Sequence, residues 1–331
     1  MKIAFVQSKD SLASIFSKKS LEKIEKFGEL VFNDGDASAE HVKKTAANAD
    51  IAITSWGNTH FNEDILNCAP NLKLIAHAAG SVKPIVTDYV WERGIRVTGS
   101  PKPLGHGVAE TTLGLMISAL KNYYDISDYL HNKDTWRCDE KYAKITDMYD
   151  ITIGIIGAGW AGRHFIKLLT NFDVDILVCD PFLDEQTAKA MNARKTELEE
   201  LLKLSDVVSL HAPSIPETKH MINEKTLSIM KKDAVFINTA RGSLVDEKAL
   251  YEHMKKGFLK YACLDVFDPE PPAGDSPLRS LPNIILTPHI AGLCNNGRLK
   301  IGSHIANELS LFISGERMEC EVTKEMIATM A

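Results

Sequence analysis

Three short stretches of this chain carry side chains able to grip an anion and move a proton. They are Asn238-Thr239-Ala240-Arg241-Gly242, Leu264-Asp265-Val266-Phe267 with Glu270 just after it, and Thr287-Pro288-His289, and each follows or ends an apolar run of strand length. Arg241 offers a planar fork of donors that suits a carboxylate and polarises a neighbouring carbonyl oxygen. His289 can give a proton to such an oxygen or take one back near neutral pH. Glu270, set against the imidazole, would orient the ring and favour its charged form. Singly, each has a bland reading: a surface ion pair, a capping histidine, a rigid Asp-Pro-Glu-Pro-Pro loop. Jointly, behind the glycine pattern that precedes them, they read as chemistry.

That pattern is Gly157-x-Gly159-x-x-Gly162, placed directly after the strand-like run 151–156 and opening a helical stretch over 160–169. Gly157 permits a tight turn, Gly159 lets backbone approach a pyrophosphate, and Gly162 lets the helix lie close on the sheet. The phosphates would sit at the positive helix N-terminus. A second strand-like run, 174–180, ends in Asp180, placed to accept from adenosine ribose hydroxyls. A carboxylate there repels a 2′-phosphate and Pro181-Phe182 supplies no arginine, so NAD(H) is expected rather than NADP(H).

Stepping outward, strand-like runs over 2–7, 29–33, 50–56, 72–78 and 95–98 alternate with amphipathic segments such as 39–49 and 62–71. This repetition predicts a small flavodoxin-like parallel sheet. One long helical segment follows over 106–131. A stronger series then places strands at 151–156, 174–180, 206–210, 234–239, 261–267 and 283–287, enough for a doubly wound Rossmann sheet. Thr196 and Glu199 suggest a capping box, and Asp246 a helix N-cap. The tail over 298–313 is helical with no strand expected after it, and should pack on the first domain. The fold class is α/β: a Rossmann coenzyme domain plus a smaller flavodoxin-like substrate domain.

With 331 residues, 44% hydrophobic and 25% charged, the chain has globular composition and room for two cores. A net charge of −6 without single-sign runs gives no electrostatic reason to expect nucleic acid or a lipid surface. No stretch approaches the roughly eighteen apolar residues of a membrane span, and the first residues read as a strand, so a cytoplasmic location is expected. The six cysteines, Cys68, Cys138, Cys179, Cys263, Cys294 and Cys320, form no CxxC pair, and no metal site is expected. Cys179 and Cys263 lie in strand-like runs and read as buried thiols.

Five segments together resemble the D-isomer-specific 2-hydroxyacid dehydrogenases, a family that includes phosphoglycerate dehydrogenases, glyoxylate and hydroxypyruvate reductases, D-lactate dehydrogenases and formate dehydrogenase. They are Gly154 to Arg163, His211 to Thr218 (His-Ala-Pro-Ser-Ile-Pro-Glu-Thr), Phe236 to Asp246, Leu264 to Pro272 and Leu286 to Gly292. The resemblance implies Arg241, Glu270 and His289 as the catalytic trio. It implies cofactor contacts from Val108, Trp160, Ala161, Asp180, the Ala212-Pro213 turn, Thr239, Ala240, Arg241 and the loop from His289 to Gly292, with Asp265 meeting the nicotinamide carboxamide. It also implies a discontinuous substrate domain over 1–101 and 293–331 around a coenzyme domain over 102–292, and a homodimer formed through the coenzyme domains.

The chain departs from the family at Gly80-Ser81-Val82-Lys83-Pro84-Ile85-Val86, where Gly-x-Asp-Asn-Ile-Asp is usual. The amides of Ser81 and Val82, with Gly80, still suit a substrate carboxylate, because that role needs N–H groups. Lys102 stands in an expected loop, and with His77 and His106 it would form a basic rim favouring a second anionic group on the substrate. The expected activity is NAD-linked interconversion of a 2-oxoacid and a D-2-hydroxyacid. The alternatives are a phosphoglycerate dehydrogenase, or an NAD(H)-sensing binding protein without catalysis, against which the intact trio argues.

Overall fold

Short runs rich in Ile, Val, Leu and Phe become strands here because helices cover them on both faces, which leaves parallel pairing as the way to satisfy their backbones. The computed structural model describes residues 1–133, 136–292 and 295–330, and Cys294 lies outside them. In chain order the strands are β1 (Lys2–Phe5), β2 (Glu29–Phe32), β3 (Ile51–Thr54), β4 (Leu74–His77), β5 (Arg96–Thr98), β6 (Tyr149–Ile156) and β7 (Asp173–Cys179). There follow β8 (Arg194–Lys195), β9 (Val207–Leu210), β10 (Val235–Asn238), β11 (Tyr261–Leu264), β12 (Ile284–Leu286) and β13 (Glu321–Val322).

The chain divides into two units, Met1–Leu104 with Leu293–Met330, and Gly105–Gly292. The division falls after Leu104, inside the helix Pro101–Leu120, rather than after Pro101.

In the first unit the sheet order is β13-β5-β4-β3-β1-β2, and β1 to β5 are parallel in the flavodoxin-like succession. Contrary to expectation, a strand does follow the helix Arg298–Ile313: β13 pairs antiparallel with β5. A wholly buried carboxylate helps hold it there. Glu308 accepts from the Thr98 hydroxyl and from the backbone N–H groups of Glu319 at 3.0 Å and Cys320 at 3.1 Å. His304 and Glu319 lie close by, with His304 Nε2 3.2 Å from the Gly99 carbonyl and Lys102 Nζ 2.8 Å from Glu319. The group works as a polar knot joining helix, β5 and β13.

In the second unit the order is β12-β11-β10-β9-β6-β7-β8 and every pairing is parallel. The succession reverses between β6 and β9, so the crevice for a ligand opens at the carboxyl ends of those strands. Val208, Leu210 and Phe236 pack on one face with Leu201, Leu250 and Met254, while Val207, Val235 and Ile237 pack on the other with Met116, Phe165 and Leu169. The helix Trp160–Leu169 forms where its periodicity predicts, and Asp246 caps the helix Glu247–Lys255 by accepting from Ala249 N at 3.0 Å.

Three expectations are corrected. The helical segment over 106–131 is two helices, Pro101–Leu120 and Tyr123–Asn132, broken where Asn122 turns left-handed at φ 56°. Tyr261 OH donates to Asn122 Oδ1 at 2.8 Å and Lys260 Nζ donates to the Leu120 carbonyl at 2.8 Å, which anchors the break. The Thr196/Glu199 box does not form; Glu197 is the N-cap and the Thr196 hydroxyl donates to Glu200 at 2.6 Å. The two-residue β8 was not foreseen. Cys263 is a buried free thiol pushed up to about 12 by burial, and Cys179 is a partly buried one. Among the described residues no helix is long and apolar enough to cross a membrane.

His77 ends β4 buried at 3% exposure, its Nδ1 2.7 Å from the Thr54 hydroxyl, and burial pulls its pKa from 6.5 down to about 4. The unfolded chain takes up that proton near pH 6.5 and the folded chain only near 4, so this contribution is full above 6.5 and is lost as pH falls toward 4. We expect urea midpoints to fall across that window, with on the order of 3 kcal/mol traceable to this one group. His77→Gln should flatten the fall; an unchanged slope in the variant would show that other groups carry it.

Candidate active site

At the end of β6 the chain turns through Gly157, whose φ of +98° favours glycine and whose Cβ would lie 2.7 Å from Ala212 N. A Cβ on Gly162 would meet the Gly157 carbonyl at 2.1 Å, so the loop closes onto the first turn of the helix Trp160–Leu169. Gly159, the N-cap of that helix, has no atom within 4 Å of its would-be Cβ and gives the helix no side-chain cap. Open space beside uncapped N–H groups at a positive helix end fits a pyrophosphate. Trp160 and Ala161 follow at the mouth, and Gly105 of the helix Pro101–Leu120 backs the loop, its would-be Cβ 2.9 Å from Ala161 N.

Asp180 locks this loop as well as offering itself to a ribose. Its Oδ2 accepts from Ala158 N at 2.7 Å and its Oδ1 from Phe182 N at 2.8 Å, which leaves each oxygen a further acceptor position. Across the crevice floor, Ala212 and Ala240 are nearly buried, and the Pro213 carbonyl takes the Thr218 hydroxyl at 2.6 Å. The Thr239 and Thr112 hydroxyls lie 2.9 Å apart, and Thr112 also donates to the Val108 carbonyl at 2.8 Å. The open end of the helix Trp160–Leu169 and the acceptor positions left on Asp180 are of the kind that a dinucleotide's phosphates and ribose require.

Beyond β10 the Asn238 side chain bends the chain, its Oδ1 accepting from Ala240 N at 3.0 Å and its Nδ2 donating to the Arg241 carbonyl at 2.9 Å. The turn delivers Arg241, whose Nη1 donates to the Ala240 carbonyl at 2.6 Å. Burial pulls the guanidinium below its usual pKa and the Glu270 charge opposes that, so Arg241 stays charged. Sequence reasoning passed over Gly242, whose would-be Cβ lies 1.9 Å from the Phe267 carbonyl carbon. Only glycine lets the arginine loop lie against the loop carrying Glu270.

Glu270 Oε2 sits 2.7 Å from His289 Nδ1, and its Oε1 accepts from Phe267 N at 3.4 Å. With Nδ1 committed to a carboxylate, Nε2 is the nitrogen left for proton exchange. The loop holding the imidazole hangs from Asp265, which is wholly buried. Its carboxylate accepts from Thr287 Oγ1 at 2.5 Å, Ile290 N at 2.9 Å and Ala291 N at 2.8 Å, and its backbone carbonyl takes His289 N at 2.8 Å. His289 itself is left-handed at φ 52°. Asp265 thus has a loop-anchoring role that its sequence position did not suggest. Gly292 closes this loop and the unit.

The Gly80–Val82 loop belongs to the first unit, where Ser100 N donates to the Ala79 carbonyl at 2.9 Å and Val82 is fully buried. Lys83 Nζ reaches the Met330 carbonyl at 2.6 Å. The basic rim is corrected: Lys102 lies in a helix with its ammonium on Glu319, His77 is buried, and His106 stacks on His164 with ring centroids 4.0 Å apart. Salt pairing thus occupies Lys102, and burial removes His77.

Comparison with known proteins places these features among relatives. The family model described as "D-isomer specific 2-hydroxyacid dehydrogenase, NAD binding domain" matches residues 113–291. A D-3-phosphoglycerate dehydrogenase of Methanocaldococcus jannaschii is 34% identical over 91% of this chain, which spans only 56% of that protein's length. A glyoxylate reductase of Korarchaeum cryptofilum is 32% identical over 94% of both chains. The solved structure of a D-lactate dehydrogenase with NAD+ from Lactobacillus jensenii shares the fold at a TM-score of 0.81 and 24% identity, covering 98% of this chain and 100% of that one.

The Asp180 carboxylate gives a test of coenzyme choice. Asp180→Asn keeps the shape and an acceptor while removing the charge that opposes a 2′-phosphate. Calorimetric titration should show the ratio of NADH to NADPH affinity falling by about tenfold or more, equivalent to about 1.4 kcal/mol. An unchanged ratio would remove Asp180 from coenzyme discrimination.

Proposed function

The chain belongs to the D-isomer specific 2-hydroxyacid dehydrogenase family, and on that premise we propose that it interconverts a 2-oxoacid and a D-2-hydroxyacid with NAD(H). The observation that carries this reading is the 2.7 Å pair of Glu270 and His289 on the carboxyl side of the same sheet that presents Arg241 and the glycine loop. When bound, the nicotinamide supplies or accepts the hydride at C2.

In the reductive direction Arg241 holds the substrate carboxylate with its fork of donors and draws electron density from the carbonyl oxygen. His289 Nε2 gives that oxygen its proton as charge develops. Glu270 keeps a proton on Nδ1 and steadies the cationic ring before the transfer. In the oxidative direction the neutral Nε2 takes the hydroxyl proton. Asp265 and Gly242 hold these groups in register, and the buried setting of Arg241 strengthens its pull on the oxyanion. From the first unit the reading takes the Gly80 to Val82 loop, whose backbone amides suit a carboxylate.

The reading includes a homodimer in the cytoplasm, on the family's pattern. What supports self-association is a set of exposed apolar residues of the second unit over 123–149, among the described residues. The helices Tyr123–Asn132 and Asp139–Tyr142 bury no residue, and Tyr123, Leu130, Trp136, Tyr142 and Tyr149 are exposed. A partner copy covering these side chains would remove their apolar area from water.

The reading is tested by following NADH oxidation with glyoxylate, pyruvate, hydroxypyruvate, phenylpyruvate, 2-oxoglutarate and phosphohydroxypyruvate. Turnover of any of these supports the reaction class, and their ranking selects between a glyoxylate-type and a phosphoglycerate-type substrate. His289→Gln should lower kcat by about a thousandfold while leaving NADH affinity within about twofold. Silence from the whole panel with NADH still bound would favour a nucleotide-sensing protein instead.

A further inference from the structure

Glu247 is a carboxylate in an expensive place. It opens the helix Glu247–Lys255, whose N-cap work is already done by Asp246. An acid in a first helical turn ordinarily faces its own helix end or solvent. Glu247 instead accepts from the backbone N–H of Asp268 at 3.0 Å, across 21 residues of sequence. Partial burial and the nearby Asp268 charge push its pKa above the usual range, so the folded protein bears a cost for keeping it charged there.

The peptide it holds is the root of the Glu270 loop. Gly242 also lies against this peptide: its would-be Cβ would fall 1.9 Å from Phe267 C and 2.5 Å from Asp268 N. The preceding N–H, that of Phe267, points to Glu270 Oε1 at 3.4 Å. Glu270 Oε2 then meets His289 Nδ1 at 2.7 Å, and the Glu270 charge also acts on Arg241. Asp268 is exposed, so water could satisfy its N–H; burial alone does not demand Glu247. Glu270 is itself among the exposed residues, so its position depends on the backbone that carries it and on its bonds to Phe267 N and His289.

We propose that Glu247 is a positioning residue of the Glu270–His289 pair: by holding the Asp268 N–H it fixes the backbone from which Glu270 reaches the imidazole. This rests on the reaction reading above for its kinetic expression. A displacement of Glu270 by a fraction of an ångström would loosen its bond to Nδ1 and shift its charge relative to Arg241 together, and proton transfer is sensitive to misplacement on that scale.

The test pairs Glu247→Ala, which removes the acceptor, with Glu247→Gln, which keeps one oxygen in place without the charge. With the best 2-oxoacid of the panel, Glu247→Ala should lose about tenfold or more in kcat with KM for NADH within about twofold, and the limb of the kcat pH profile set by His289 should move. Glu247→Gln should retain kcat within about threefold. A role confined to helix stability would lower Tm in both variants and leave the pH profile unmoved, and that result would overturn the proposal. So would equal losses of kcat in the two variants.

A second readout needs no turnover. Nitrogen-15 shifts of labelled histidine report which ring nitrogen of His289 carries the proton. The preference for Nδ1 should weaken in Glu247→Ala and persist in Glu247→Gln. Should the wild-type protein reduce no 2-oxoacid, the reaction reading fails while this measurement still decides the positioning role, and unchanged shifts in Glu247→Ala would overturn it.

Discussion

A fully buried carboxylate is costly in a protein interior unless hydrogen bonds repay its lost hydration, and Asp265 is in that position. Among the described residues its three side-chain bonds come from one loop: the Thr287 hydroxyl and the N–H groups of Ile290 and Ala291. The loop therefore has little freedom to leave without stranding the charge. His289 sits in the middle of those donors, and its own N–H is held by the Asp265 carbonyl. Sheet register carries the constraint further. Leu264 pairs with Asn238, and Asp265 N donates to the Asn238 carbonyl at 3.0 Å, so the strand that supplies the anchor also sets where the arginine turn begins.

Around that anchor, the approach of backbones is governed by missing side chains. Gly157 and Gly162 let the phosphate loop fold on itself against the end of β9, and Gly242 lets the Arg241 loop lie on Phe267. Gly159 differs in kind, since its would-be Cβ meets nothing. Three of these glycines permit close contact inside the protein, and one leaves the helix end open. The Thr112–Thr239 bond does similar work for the floor, tying the helix Pro101–Leu120 to the end of β10.

Local pattern made much of this legible from sequence. The run 151–156, the helix over 160–169 and the Asp246 cap show in hydrophobic period and capping chemistry, which act over a few residues. The candidate site was legible as residue types at strand ends, because an open parallel sheet exposes those ends to ligands. Features set by distant partners were not legible. β8 and β13 are two residues each, too short for any periodicity, and β13 is held by Glu308 from a separate helix. Lys102 looked free because Glu319, which neutralises it, is 217 residues away. Gly242 and Glu247 look ordinary until the chain brings Phe267 and Asp268 against them.

The histidines show how environment, rather than residue type, decides which groups can exchange protons. His77 and His211 are both pulled to about 4 by burial, and His304 is lowered for the same reason, so these rings stay neutral around pH 7 and serve as structure. His211 illustrates the cost: its Nε2 meets the Ser209 hydroxyl at 2.9 Å while its Nδ1 is buried without a partner. His289 has the opposite arrangement, half-exposed, with a carboxylate on Nδ1 and the second nitrogen turned from that bond. A ring that must alternate between charged and neutral needs both a counter-charge for one state and access for the proton in the other. Among the described histidines, His41 also lies against a carboxylate, that of Asp36, but in the helix Ala39–Ala46 of the first unit. The carboxylate contact alone therefore does not select His289; its combination with the Asp265 anchor and the adjoining Arg241 loop does.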